Sequence, residues 1–218
     1  PILMNKNVFS YIGIYFLNFL SCLPLPLLQV FATLSYFFIY YIIRYRKKVV
    51  HENLSNSFPN KSPAEVIKLE KAFFKYFSDL IFEVIKMSSI SEKELDKRIQ
   101  FNNLELVTNY LDNNISILAC TGHYGNWELG MMALGLKIPS KAYVIYKPLN
   151  NNIFDKGIYK TRTRTGNFFI PMRQTLRSLA TTRNQTTMLC FAGDQTPVKG
   201  EARVWIDFLH QPTAVLLG

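Results

Sequence analysis

A histidine and a glutamate lie five residues apart at a glycine-flanked junction, Gly122-His123-Tyr124-Gly125-Asn126-Trp127-Glu128. The preceding ISILACT is an apolar strand-like run, and the residues after the junction have the composition of a helix. In sheets flanked by helices, ligands gather at the carboxyl ends of strands, and His123 falls at such an end. Asn126 is placed to cap the next helix. Glu128 lies in the first turn, where a carboxylate suits the helix dipole. On one continuous helix, side chains five apart diverge by about 140°. With His123 still in the turn, the Glu128 carboxylate can fold back to one imidazole nitrogen. That bond would fix the tautomer and leave the other nitrogen as a general base. No GxSxG elbow or other obvious nucleophile accompanies the pair, which disfavours a covalent hydrolase. A base with an orienting carboxylate and no nucleophile suits activation of a substrate hydroxyl. The spacing alone is weak, because three histidines produce it readily by chance, and a structural histidine at a strand end is the plainer alternative.

The secondary structure around this junction is legible as well. Ser62-Pro63-Ala64-Glu65 reads as an N-cap, a proline at the first helical position and an acidic first turn. The helix begun there carries Phe73, Phe77, Leu80, Ile81 and Val84 at helical spacing. Ser91-Glu92-Lys93-Glu94 is a second capping box. Helices are expected at 103–112, 127–136, near 155–163 and at 174–182, and strands at 115–121, 141–146, 168–171 and 187–192. The first and last of these strands read as buried. Strands alternating with helices predict an α/β fold, a mostly parallel sheet flanked by helices.

Composition narrows the class. The 218 residues carry 25 Lys+Arg against 15 Asp+Glu, a net charge of +10. Hydrophobic residues at 49% and aromatics at 14% exclude intrinsic disorder. Cys22, Cys120 and Cys190 form no CxxC pair, so a disulfide scaffold and a structural zinc site are both disfavoured. His51, His123 and His210 are scattered and suggest no metal. From Asn7 to Ile43 no residue is charged, and the run ends in Arg44, Arg46, Lys47 and Lys48. Crossing a bilayer core takes about 20 apolar residues. Leu23-Pro24-Leu25-Pro26 divides the run into two pieces, about 8–22 and 27–43. They fit an interfacial helix plus a span, or a hairpin dipping into one leaflet, and a buried hairpin of a soluble core is the alternative. The basic cluster after the second piece favours a cytoplasmic location for the downstream residues. Residues 1–48 are thus expected to form an N-terminal hydrophobic membrane-anchoring helical segment with its basic flank, and 49–218 the catalytic domain.

The order GHYGNWE, VIYKPLNNNIFD, RTRTG, AGDQTP and DFLHQPTAVLLG resembles the bacterial lipid A biosynthesis (late) acyltransferase family, within the lysophospholipid and glycerolipid acyltransferases. The amino-terminal apolar segment and HENLSNSFP, residues 51–59, extend the resemblance over nearly the whole chain. It implies a glycerolipid acyltransferase-like fold and a catalytic His-x4-Glu pair at His123 and Glu128. It also implies substrate contacts from Lys147, from Arg162 and Arg164 on lipid A phosphate or acceptor sugar, and from Asp194 on the site wall. Asn126 joins them as a substrate-side residue. Two departures stand out: Lys147 replaces an arginine found in many members, losing bidentate phosphate recognition. Relatives also continue beyond the position of Gly218, so part of the substrate groove is expected to be missing.

The charge distribution agrees independently: between Lys137 and Arg183 there are ten Lys/Arg and one acid, Asp155. Such a block is either a solvated basic face or an anion site. No nucleic-acid module accompanies it. The resemblance implies partners in a membrane, a phosphorylated glycolipid acceptor and an acyl carrier protein, with no nucleic acid. The donor would be a phosphopantetheine thioester, with no bound cofactor, and the location the cytoplasmic face of a bacterial inner membrane. A lysophospholipid or other glycolipid acceptor, and a non-catalytic lipid- or carrier-binding module, are the alternative readings.

Overall fold

Prolines, caps and glycines punctuate the chain into seventeen secondary-structure elements among the described residues. The structure, a computed structural model, describes residues 2–138, 141–195, 197 and 204–215. Pro1, Thr196 of the AGDQTP segment and the last three residues of the tail lie outside the described residues. In chain order the elements are α1 (Ile2–Ser21), α2 (Leu25–Phe37) with a π-helical extension Phe38–Ile43, α3 (Lys47–Ser57), α4 (Pro63–Lys86), α5 (Glu92–Arg98), α6 (Leu104–Asp112), β1 (Ile117–Thr121), α7 (Trp127–Lys137), β2 (Ala142–Tyr146), α8 (Asn152–Thr163), β3 (Phe168–Pro171), a 3₁₀ turn Met172–Gln174, α9 (Thr175–Thr181), β4 (Met188–Ala192), β5 (Val204–Phe208) and β6 (Gln211–Val215). They form two compact units, one of residues 1–22 and 84–193, the other of 23–83 and 194–218. The expected anchor is shared between them, α1 in the first and α2 in the second.

The first unit is built on a four-stranded sheet in the order β1-β4-β2-β3, with every neighbouring pair parallel. Parallel pairing brings all four carboxyl ends to one edge. β4 lies between β1 and β2, and its Met188, Leu189 and Cys190 are buried, as the run TMLCFA predicts. β1 differs from its expected continuous burial. It is an edge strand, and Leu118, 64% exposed, alternates with inward Ile117 and Ala119. α7 is apolar on every side because it is covered on two faces. Leu134 and Ile138 at its end pack with Ala142, Val144, Phe169 and Cys190 of the sheet. Leu129, Met132 and Ala133 pack with Met87, Ile90 and Leu95. Gly135 is required there, since an added Cβ would stand 2.6 Å from the Thr165 carbonyl oxygen and 2.7 Å from Asn167 Oδ1.

α1 belongs to this unit through α8. Gly13 faces the Phe154 ring at 3.1 Å, and Gly157 faces Ile14 Cδ1 at 2.9 Å, each measured to an ideal Cβ. Each helix thus offers a glycine notch to a side chain of the other. The opposite side of α1 leaves Phe9, Ile12, Phe16 and Phe19 exposed at helical spacing.

In the second unit, α2 and its extension run against α4, with Phe31 stacked on Phe82 at 6.4 Å and Tyr40 edge-on to Phe74 at 5.4 Å. Leu25–Ile43 is, among the described residues, one helix long and apolar enough to cross a membrane. The break between α1 and α2 ends at Pro24, which caps α2, and Pro26 sits in the first turn of α2, where a proline is tolerated. On α4 the buried stripe is Val66, Glu70, Phe74 and Ser78. This corrects the expected apolar face, for Phe73 and Val84 are exposed. The physical reason is Glu70, a buried carboxylate whose polar partners turn the helix toward them. β5 and β6 form an antiparallel hairpin through Leu209 and His210, both at positive φ, 51° and 60°. Gln211 of the hairpin accepts from Asn56 Nδ2 at 3.1 Å and donates to Ser57 Oγ at 3.4 Å.

Candidate active site

The sharp turn between β1 and α7 sets the site. Gly125 adopts φ 62°, a left-handed conformation that favours glycine, and nothing lies within 4 Å of an added Cβ, so backbone shape rather than space demands it. Asn126 then caps α7, its Oδ1 accepting from the Leu129 amide at 3.1 Å. His123, half-buried, leaves the end of β1 and meets Trp127 of the first helical turn edge-on, ring centroids 4.9 Å apart. Tyr124 beside it is 93% exposed.

Glu128, one residue further, has its carboxylate held by Arg162 of α8. Arg162 Nε donates to Oε2 at 2.6 Å, and Nη2 donates to Oε1. Both side chains are mostly buried, at 16% and 14% exposure. The guanidinium carbon lies 5.4 Å from the centroid of Phe169 and 5.9 Å from those of Trp127 and Tyr146. A cation among aromatic rings and a bidentate carboxylate forms a stiff unit, because the planar fork fixes direction as well as distance. Burial raises the Tyr146 phenol above its usual range, with Asp155 and Tyr159 adding to the shift and Arg162 opposing it.

Of the remaining expected residues, Arg164 leaves this group. It turns away from Arg162 and donates to the Ile90 carbonyl. Desolvation lowers its pKa, with Glu92 opposing. The helical geometry of α8 explains the divergence, since residues two apart on a helix point about 200° apart. Lys147 is exposed one residue past β2, on the same sheet edge as His123. Arg173, exposed just past β3, shares that edge, although only its place in the basic block marked it in the sequence. With strands about 4.8 Å apart, β1 and β2 are separated by roughly 10 Å across β4. Asp194 is exposed two residues past β4 and belongs to the second unit. Cys190 on β4 is no nucleophile: burial pushes its thiol up to about 11. No group of three or more His, Cys, Asp or Glu suited to a metal ion occurs among the described residues.

The fold and this turn define an α/β protein whose histidine stands at the carboxyl edge of a parallel sheet, before a capped helix that carries a glutamate. The sequence model of the bacterial lipid A biosynthesis acyltransferase family matches residues 2–218, and the chain belongs to that family. No curated protein matches the chain closely enough to count as a relative.

Proposed function

We propose that the protein transfers a fatty acyl group from an acyl carrier protein thioester to a hydroxyl of a phosphorylated glycolipid, a lipid A precursor. His123 is the general base. It removes the hydroxyl proton as the oxygen attacks the thioester carbonyl. The carbonyl carbon gains the new C–O bond, the C–S bond breaks, and the thiolate takes up a proton as it leaves. The observation that carries this reading is the placement of His123 at the sheet's carboxyl edge, braced against Trp127. Glu128, in the same helical turn, is the carboxylate partner assigned to the imidazolium that forms, with Arg162 offsetting part of its charge. Arg162 is a positioning residue that fixes the Glu128 carboxylate. Lys147 and Arg173, exposed on the same edge, are two cations available to acceptor phosphate. Family membership supports acyl transfer in lipid A biosynthesis.

The test is an assay of the full chain with labelled acyl carrier protein thioester and phosphorylated glucosamine lipid. His123→Ala should lose about 10²–10⁴-fold in transfer, the usual worth of general-base assistance, while its melting temperature stays near that of the parent. A folded His123→Ala variant with near-parental transfer would refute the assignment.

A further inference from the structure

The second unit contains an open cleft of about 860 Å³, none of whose lining residues has a part in the acyl transfer proposed above. It lies where the apolar helix Leu25–Ile43 ends and α3 begins, and Arg44, Lys47, Lys48, His51 and Lys71 line it. Its floor is Glu70, 2% exposed. Glu70 accepts from the Tyr40 hydroxyl at 2.8 Å and from His51 Nδ1 at 2.7 Å, and Lys47 Nζ stands 3.7 Å away. The same ammonium sits 3.9 Å from the Tyr40 ring centroid. A buried carboxylate thus holds one lysine and one histidine in fixed positions on the cleft wall.

The remaining charge is positive. Glu52, also in the wall, pairs with Lys48 at 3.7 Å. Arg44 and Lys71 have no carboxylate partner among the described residues. The helix dipole makes this worse, because α3 places Lys47 and Lys48 and no acid in its first turn, where anions are favoured. The backbone is strained at the same point. Arg44 and Arg46 adopt φ 53° and 51°, and the helix before them widens into a π turn. Non-glycine residues rarely adopt this conformation, and π turns concentrate at functional sites. Like charges and a helix N-terminus converge on one cleft beside the strained Arg44, and an anion there relieves the charge. Tyr41 and Ile67, both exposed and both in the cleft wall, provide an apolar surface for hydrocarbon.

We propose that this cleft binds the phosphate of an anionic membrane phospholipid, with its acyl chains leaving along Tyr41 and Ile67. The HENLSNSFP segment then has a role apart from the active site, since its His51 is part of the wall. The proposal rests on Leu25–Ile43 lying in a membrane. It does not rest on the identity of the transferred acyl group.

The full chain in dodecyl maltoside micelles is doped with phosphatidylglycerol or phosphatidylcholine, and retained lipids are counted by native mass spectrometry. One phosphatidylglycerol per chain is expected, preferred at least about tenfold over phosphatidylcholine, which has the same phosphate but adds a choline cation that the basic cleft repels. Arg44→Gly with Lys71→Gln should lose that preference. Glycine suits the backbone at position 44, so this variant should keep its melting temperature. Arg177→Gln with Arg183→Gln, exposed cations of the first unit, should leave the preference intact. Equal loss in both pairs, or no headgroup preference in the parent, overturns the site. Displacement of the lipid by millimolar inorganic phosphate would make the cleft a free-phosphate site. Binding of an acidic carrier protein that only the Arg44/Lys71 pair abolishes, with lipid binding unchanged, would assign it to a protein. Both results overturn the lipid assignment. Extraction of membranes with concentrated salt tests the membrane placement separately. A chain that resists extraction yet shows no headgroup preference defeats the cleft alone.

Discussion

Arg162 has a limited supply of donors, and the structure commits two of them to Glu128. Replacing it by alanine strands a mostly buried carboxylate, and breaking a buried pair from one side costs about 3–5 kcal/mol. Arg162→Ala should therefore lower the melting temperature and reduce transfer to phosphorylated and unphosphorylated acceptors alike. Arg162→Lys, which keeps the charge and loses the fork, should recover only part of either. Transfer rates on the two acceptors, measured beside thermal unfolding, decide the matter. A loss confined to the phosphorylated acceptor would mean that the guanidinium leaves Glu128 to bind phosphate. The sequence marks His123, Asn126 and Glu128 because a turn and a cap are local, readable from neighbours. The pairs Glu128–Arg162 and His51–Glu70 join residues 34 and 19 apart, and no local pattern announces them. For the same reason Arg162 and Arg164, close together in one motif, serve different partners.

The contact between α7 and the turn after α8 depends on one missing atom. Gly135→Ala would press a methyl group into the Thr165 carbonyl and Asn167, whose Nδ2 donates to the Met131 carbonyl. Thr165 Oγ1 and Asn167 Oδ1 are already buried with no hydrogen-bond partner among the described residues, so the turn has little tolerance for displacement. An overpacking cost of about 1–3 kcal/mol is expected. Gly130, on the same helix, has nothing within 4 Å of an added Cβ. Gly130→Ala should be neutral or stabilise by up to about 1 kcal/mol, through helix propensity. Chemical denaturation of the two variants checks both signs, and equal destabilisation would refute the packing argument. At this level the sequence reads well where patterns are strong. The strand at 168–171 and the helix starting at Trp127 lie where periodicity and capping put them. The β5–β6 hairpin has no Asn-Gly turn to signal it, since Leu209 and His210 supply the positive φ. The face of α4 departs from its aromatic pattern because a buried glutamate sets the helix's rotation. Edge position likewise cannot be read from ISILACT alone, because strand order emerges only when the sheet assembles.

A net charge of +10 and an uncharged helix both attract the protein to a bilayer, but through forces that salt separates. Ionic attraction between exposed charges falls as the Debye length shrinks to about 3 Å at 1 M salt, whereas burial of apolar surface does not weaken. If Leu25–Ile43 is embedded, concentrated salt leaves the full chain in the membrane fraction. Removing residues 1–43 is a poor test, since it strips α1 from Phe154 and Gly157 of α8 and damages the first unit itself. Charges placed on the outer face of the helix avoid that damage. Leu34 and Phe38 are 60% and 52% exposed, so Leu34→Asp with Phe38→Asp should leave the second unit folded. Each aspartate near the bilayer centre costs about 2.5–3.5 kcal/mol on insertion. The double variant should therefore become extractable by salt while keeping its circular dichroism spectrum. If it stays salt-resistant, the exposed stripe Phe9, Ile12, Phe16 and Phe19 of α1 is the principal membrane contact. If the parent chain itself washes off, neither helix is embedded, and the basic surface alone holds the protein to lipid.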